Sequence, residues 1–178
     1  WSARCVGCRD FEAGFGVMAS SAVPQDTLII SIGPVTAEAA CTVIRQSITH
    51  CCSLDHGHDP AVLTAWLANK TPENLAVWIS ASGTAAWGAY RGDTMVGFAL
   101  LVRATLALCY VVPEALHQGV GRALLQHVEV HARKAGLAIL DLESTRTAEH
   151  FYRRHGYVPH GAVQTWAGLK AQPMRKVV

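Results

Sequence analysis

The chain has 178 residues, 51% apolar and 16% charged, a single-domain length and a composition that exclude a disordered or fibrous protein. Fifteen basic residues face 13 acidic ones, for a net charge of +2, too balanced for a surface that holds nucleic acid or an anionic membrane. Apolar runs such as Leu106–Val112 stop at seven residues, whereas a membrane span needs about 20.

Residues 1–26 are rich in Ser, Gly and Ala without a sustained period, and read as a loose tail before one domain over 27–178. Cys5 and Cys8 have a metal or redox spacing, but no second CxxC follows. Cys51 and Cys52 are adjacent and Cys109 lies in an apolar strand pattern, which does not suit a disulfide framework. No apolar stretch of signal-peptide length opens the chain. A reducing, cytoplasmic setting is expected.

Thr27–Ile32 is short and β-branched and reads as a strand. Thr36 is placed to cap a helix with Val43, Ile44, Ile48 and Cys51 on its inner face. Asp59-Pro60 opens a helix to Lys70, with Leu63, Trp66 and Leu67 inward, and Thr71-Pro72 opens another to about Ile79. Strands Thr84–Tyr90 and Thr94–Val102 follow, joined by a turn at Arg91-Gly92-Asp93. Leu106–Val112 reads as a buried strand. Gly119–Ala135 is an amphipathic helix with Val120, Leu124, Val128 and Ala132 inward and Gly136 as its stop. Strand Leu137–Leu142, helix Thr145–His155 and two strands, Gly156–Val163 and Thr165–Met174, complete the chain. The pattern predicts an α/β fold: a mixed, mostly antiparallel sheet of about six to seven strands with helices on both faces.

The most informative stretch is Val112–Leu125. A strand ends at Pro113, a short loop carries Gln118-Gly119-Val120-Gly121-Arg122-Ala123, and a helix starts at once. Glycines let the backbone approach a ligand, and the first-turn amides and helix dipole favour a phosphate or diphosphate. The loop lacks the Gly-Lys-[Ser/Thr] of a P-loop and the third glycine of a dinucleotide fingerprint.

At these residues the sequence resembles the GNAT superfamily of acetyl-CoA-dependent N-acetyltransferases. Gln118, Gly121 and Ala123 match its Gln/Arg-x-x-Gly-x-Gly/Ala loop. Ser144-Thr145 through Phe151-Tyr152 to Gly156-Tyr157 is similar to its second motif. The resemblance covers about Thr27 to Met174. It implies that acetyl-CoA lies where the fourth and fifth strands splay, against Cys109, Tyr110 and Val111. His117, Gln118, Gly119, Val120, Gly121, Arg122 and Ala123 would hold the diphosphate. Thr147, where relatives often carry asparagine, and Tyr152 would add further coenzyme contacts. The implied reaction is direct attack of a primary amine of a small molecule or peptide on the thioester, with Tyr152 as acid for the leaving thiolate. A homodimer is also implied, since members of the superfamily commonly pair sheet edges.

Many members carry a carboxylate in the fourth strand, and Leu106–Val112 has none. Asp141 and Glu143 share one strand face by the period of two; Glu143 is the candidate base, a solvated strand-end pair the alternative. The missing carboxylate also keeps open a catalytically silent acyl-CoA-binding sensor. His50, Cys51, Cys52, Asp55, His56 and His58 are metal-capable, but show no regular zinc spacing, and no metal is expected. Asp55, His56 and His58 are the candidate acceptor contacts, with a plain polar loop as the alternative.

Overall fold

A computed structural model describes residues 26–178; the expected tail up to residue 25, with Cys5 and Cys8, lies outside the described residues. The strands are β1 (Leu28–Ser31), β2 (Thr84–Arg91), β3 (Thr94–Val102), β4 (Thr105–Val111), β5 (Ile139–Thr145), β6 (Val158–Pro159), β7 (Gln164–Trp166) and β8 (Leu169–Val177). The helices are α1 (Ala37–Cys51), α2 (Ser53–His56), α3 (Pro60–Leu67), α4 (Pro72–Ser80), α5 (Val120–Lys134) and α6 (Arg146–Arg154). One eight-stranded sheet runs β1-β2-β3-β4-β5-β8-β6, with β7 folded back on β8. Every neighbouring pair is antiparallel except β4 and β5.

Helices cover both faces of the centre. Every residue from Met95 to Leu101 of β3 is buried, although alternate residues of a strand point to opposite faces. α1 and α5 both pack on β3 and β4. Gly97 marks the α5 side: a Cβ there would stand 2.9 Å from a Leu124 methyl and 3.1 Å from one of Val120, so a side chain would push the helix off the sheet. The predicted inner face of α5 is correct: Val120, Leu124, Val128 and Ala132 are fully buried.

The structure departs from the sequence reading at several ends. The sheet has eight strands because Ala167 and Gly168, both at positive φ, make a tight turn that splits the last predicted strand into β7 and β8. Only Val158–Pro159 of the expected Gly156–Val163 strand pairs. β5 runs on to Thr145, paired with β8 along its whole length. Ser53–His56 winds into a short helix instead of a loop. Cys52 is fully buried, while Cys51, expected inward, is only half-buried. Thr36 precedes α1, but its hydroxyl donates back to the Gly33 carbonyl and caps no first-turn amide. Asp59 and Thr71 do cap α3 and α4 through their side chains.

Candidate active site

The sheet opens between β4 and β5. These parallel neighbours share one register pair, Thr105↔Asp141, with the Asp141 amide donating to the Ala104 carbonyl. Beyond that pair the strands part toward their carboxyl ends, the place where α/β sheets receive ligands. β4 carries an irregularity beside the opening. Its register with β3 passes from Leu100↔Leu108 to Leu101↔Leu106, leaving Ala107 without a partner, a bulge of the kind that re-aims a strand next to a site.

The chain leaves β4 into the start of α5. His117 and Gly119 both take positive φ, 58° and 81°; glycine adopts this conformation without a Cβ penalty, and histidine does so under strain. Gly119 supplies no capping side chain and no acidic residue lies in the first turn of α5. First-turn amides have no partner within their own helix, and with the dipole behind them they make an anion site. The residues present therefore fit the diphosphate of a coenzyme A.

Cys109, Tyr110 and Val111 are buried on β4 beside the opening. Gln118 is exposed and its side chain donates to the Glu114 carbonyl at 2.7 Å. A hollow of about 190 Å³ at this end is lined by His50, Cys51, Ser53, Leu54, Leu116, His117 and Thr147. The fold thus brings His117 and Thr147 together across the mouth, beside the end of α1.

Asp55 has a definite partner. Its carboxylate accepts from the amides of Arg146 at 2.8 Å and Thr147 at 3.3 Å, and from the Thr147 hydroxyl. An aspartate from α2 thus caps α6, whose own N-cap residue, Thr145, makes no capping bond. Asp55→Ala is expected to cost about 1–2 kcal/mol of stability; an unchanged urea midpoint would remove Asp55 from this role. His56 is buried and its Nδ1 accepts from the His58 amide at 3.1 Å. His58 is exposed. Among the described residues no group of three or more His, Cys, Asp or Glu side chains is placed to hold a metal ion.

Tyr152 is 1% exposed on α6 and meets Tyr157 edge to face at 5.7 Å. Tyr157 links it to the opening. Burial, then the Glu129 carboxylate of α5 and the Cys109 thiol of β4, push the Tyr157 phenol far above its ordinary pKa. Glu129 is itself paired with Lys176 of β8 at 2.8 Å. Sequence reasoning missed this Tyr157–Glu129–Lys176 group, because only tertiary structure brings α5, β8 and the residue before β6 together there.

The two candidate carboxylates of β5 differ. Asp141 is bound bidentately by Arg175, at 2.6 and 3.0 Å, which holds its carboxyl below the ordinary value. Glu143 is half-buried and stands opposite Pro173 in the register with β8.

A family model described as an acetyltransferase (GNAT) domain matches residues 54–178. The chain belongs to the GNAT acetyltransferase family. Among solved structures it is similar to a GCN5-related N-acetyltransferase from Rhodopseudomonas palustris, with a TM-score of 0.76, 24% identity and coverage of 93% of this chain and 100% of that one. The PaiA N-acetyltransferase from Thermoplasma acidophilum, solved with coenzyme A, gives a TM-score of 0.71 at 21% identity, covering 85% and 99% of the two chains. Identities this low speak to the GNAT fold. Amino-acid acetyltransferase from Pseudomonas putida is 45% identical over 56 residues, 32% of this chain but only 13% of that protein. No described helix of this GNAT domain is long and apolar enough to cross a membrane.

Proposed function

We propose that this GNAT domain transfers acetyl from acetyl-CoA to a primary amine. The observation that carries this reading is the parting of β4 and β5 beyond Thr105↔Asp141, directly beside the uncapped start of α5. The amino-acid acetyltransferase relative supports it.

In this reading the residues from His117 to Ala123 bind the diphosphate, mainly through backbone amides of the loop and first turn. Backbone groups of Cys109, Tyr110 and Val111 orient the pantetheine arm in the opening, and Thr147 closes over its outer end. Bound acetyl-CoA supplies an activated thioester carbonyl. A neutral amine nitrogen attacks it and the carbon–sulfur bond breaks. Glu143 accepts the proton the nitrogen gives up, and Tyr152 donates one to the departing thiolate, so the products are an N-acetyl amide and coenzyme A thiol. Asp55 contributes by fixing the start of α6, the helix that carries Tyr152, and His56 and His58, which follow it in the chain, serve as acceptor contacts.

The proposal extends to a reducing cytoplasmic setting, consistent with Cys41, Cys51, Cys52 and Cys109 being thiols. It also extends to a homodimer through a sheet edge such as β1, where Leu28 and Ile30 are exposed. Calorimetric titration with acetyl-CoA, with adenosine diphosphate as control, tests the coenzyme site. Micromolar binding that requires the pantetheine arm is expected. Equal binding of the two, or none, would contradict the reading.

A further inference from the structure

Tyr152 stands in the last turn of α6, and the chain that follows packs back on it. Gly156 takes φ of 86° just past the helix end. Its amide donates to the Arg153 carbonyl at 3.0 Å, and the Tyr157 amide donates to the Tyr152 carbonyl at 3.1 Å. These are the two bonds of a Schellman motif, in which the residue after the glycine packs on the residue that accepts its amide. That pair here is Tyr157 on Tyr152, both 1% exposed and edge to face at 5.7 Å. Where Tyr152 lies therefore depends on where Tyr157 is held.

A charged strap crosses this junction. The Lys176 side chain of β8 runs past Gly156, where an added Cβ would meet its Cε at 3.5 Å. Its Nζ lies 5.6 Å from the centroid of the Tyr157 ring and donates to both carboxylate oxygens of Glu129 at 2.8 Å. Glu129 is buried on α5, the helix whose first turn receives the diphosphate in the acetyl-transfer reading. Desolvating a pair buried this deeply offsets most of its Coulombic gain, and apolar side chains of similar volume often serve stability as well. Stability is thus a weak reason for the pair to be there.

We propose that the Lys176–Glu129 ion pair positions the acid of acetyl transfer: drawn across Gly156 and Tyr157, it fixes Tyr157 and, through it, Tyr152. The inference rests on the acetyl-transfer reading above. Glu129, Lys176 and Tyr157 are positioning residues that act through Tyr152. A general acid must stand within hydrogen-bond reach of the atom it protonates, and a misplacement of about 1 Å lowers the rate by about 10²-fold. The strap also ties α6, which carries the acid, to α5, which seats the coenzyme.

The test measures thiol release from acetyl-CoA with leucine, phenethylamine, spermidine and an alanyl peptide as acceptors, the best of them carried into the variants, beside calorimetric acetyl-CoA affinity. Glu129→Gln and Lys176→Met should each lower kcat by about tenfold or more, with acceptor KM and acetyl-CoA affinity within a few-fold of the parent. Lys176→Arg, which keeps the charge and the reach, should recover most of kcat. Lys176→Met leaves a buried carboxylate without its cation, so the double change Glu129→Gln with Lys176→Met, which removes both charges, keeps the test open if the single variant does not fold. In a Tyr152→Phe background the same changes should lower kcat by less than about twofold further, because the oxygen they misplace is already gone. Parental kcat in folded Glu129→Gln, no recovery in Lys176→Arg, or a full additional loss in the Tyr152→Phe background overturns the inference. An unchanged kcat in Tyr152→Phe itself also overturns it, while acetyl transfer stands. Absence of acetyl-CoA binding, or of turnover with all four acceptors, would instead overturn the acetyl-transfer reading, and this inference with it.

Discussion

Gly121→Asp is expected to weaken acetyl-CoA binding by at least a hundredfold in a protein that still folds. Gly121 is buried in the first turn of α5, where the backbone must come close to the diphosphate. Aspartate adds a side chain to that approach and an anion beside another anion. Two like charges about 4 Å apart near a surface repel by about 4 kcal/mol, and each 1.4 kcal/mol is about tenfold in affinity. An acidic residue near a helix N-terminus interacts favourably with the dipole, which offsets part of the cost of placing a charge at this buried position. Circular dichroism should retain the parent helix and sheet signal, even if the thermal midpoint falls, while the titration signal disappears. Retained affinity in a folded variant would mean that the glycine loop does not hold the coenzyme.

Tyr152→Phe is expected to lower kcat by about 10²-fold or more, the usual contribution of a positioned acid or base, while leaving acetyl-CoA affinity within a few-fold. The substitution removes one oxygen and keeps the ring, so the edge-to-face contacts with Phe151 at 5.2 Å and Tyr157 at 5.7 Å survive. A tyrosine phenol carries a proton it can donate at neutral pH, and phenylalanine does not. The loss should shrink with an acyl donor whose thiol is a better leaving group, since that thiolate needs less help. An unchanged kcat would remove Tyr152 from the mechanism. Tyr157, beside Glu129 and the Cys109 thiol, would then be the next phenol to replace.

Much of the fold was legible because its local signals agree with its packing. The inner face of α5 repeats at helical spacing, and all four residues read as inward are fully buried. The Pro60 and Pro72 starts and the Gly92-Asp93 turn stand where the sequence placed them. The errors lie where pairing partners, not propensity, set the ends. β5 continues to Thr145 because β8 pairs with it there, and the last strand breaks at Ala167 because the backbone takes a positive φ that alanine does not announce.

The candidate site divides in the same way. The glycine loop could be read because its chemistry belongs to backbone groups arranged by a strand–loop–helix sequence. The Asp55 cap on α6 could not, since its carboxylate meets amides some ninety positions along the chain. The pairing of Asp141 with Arg175 likewise depends on β5 and β8 being neighbours. It separates two carboxylates that share a strand face and that periodicity alone leaves equivalent.

The most direct test of acetyl transfer is mass-spectrometric detection of N-acetylated product from a panel of primary amines incubated with protein and acetyl-CoA, with released thiol quantified in parallel. The account predicts at least one acetylated amine, formed in equal amount with free coenzyme A and lost in Tyr152→Phe and Gly121→Asp. Tight acetyl-CoA binding with no acetylated product across the panel would contradict it and leave a coenzyme-binding module in its place.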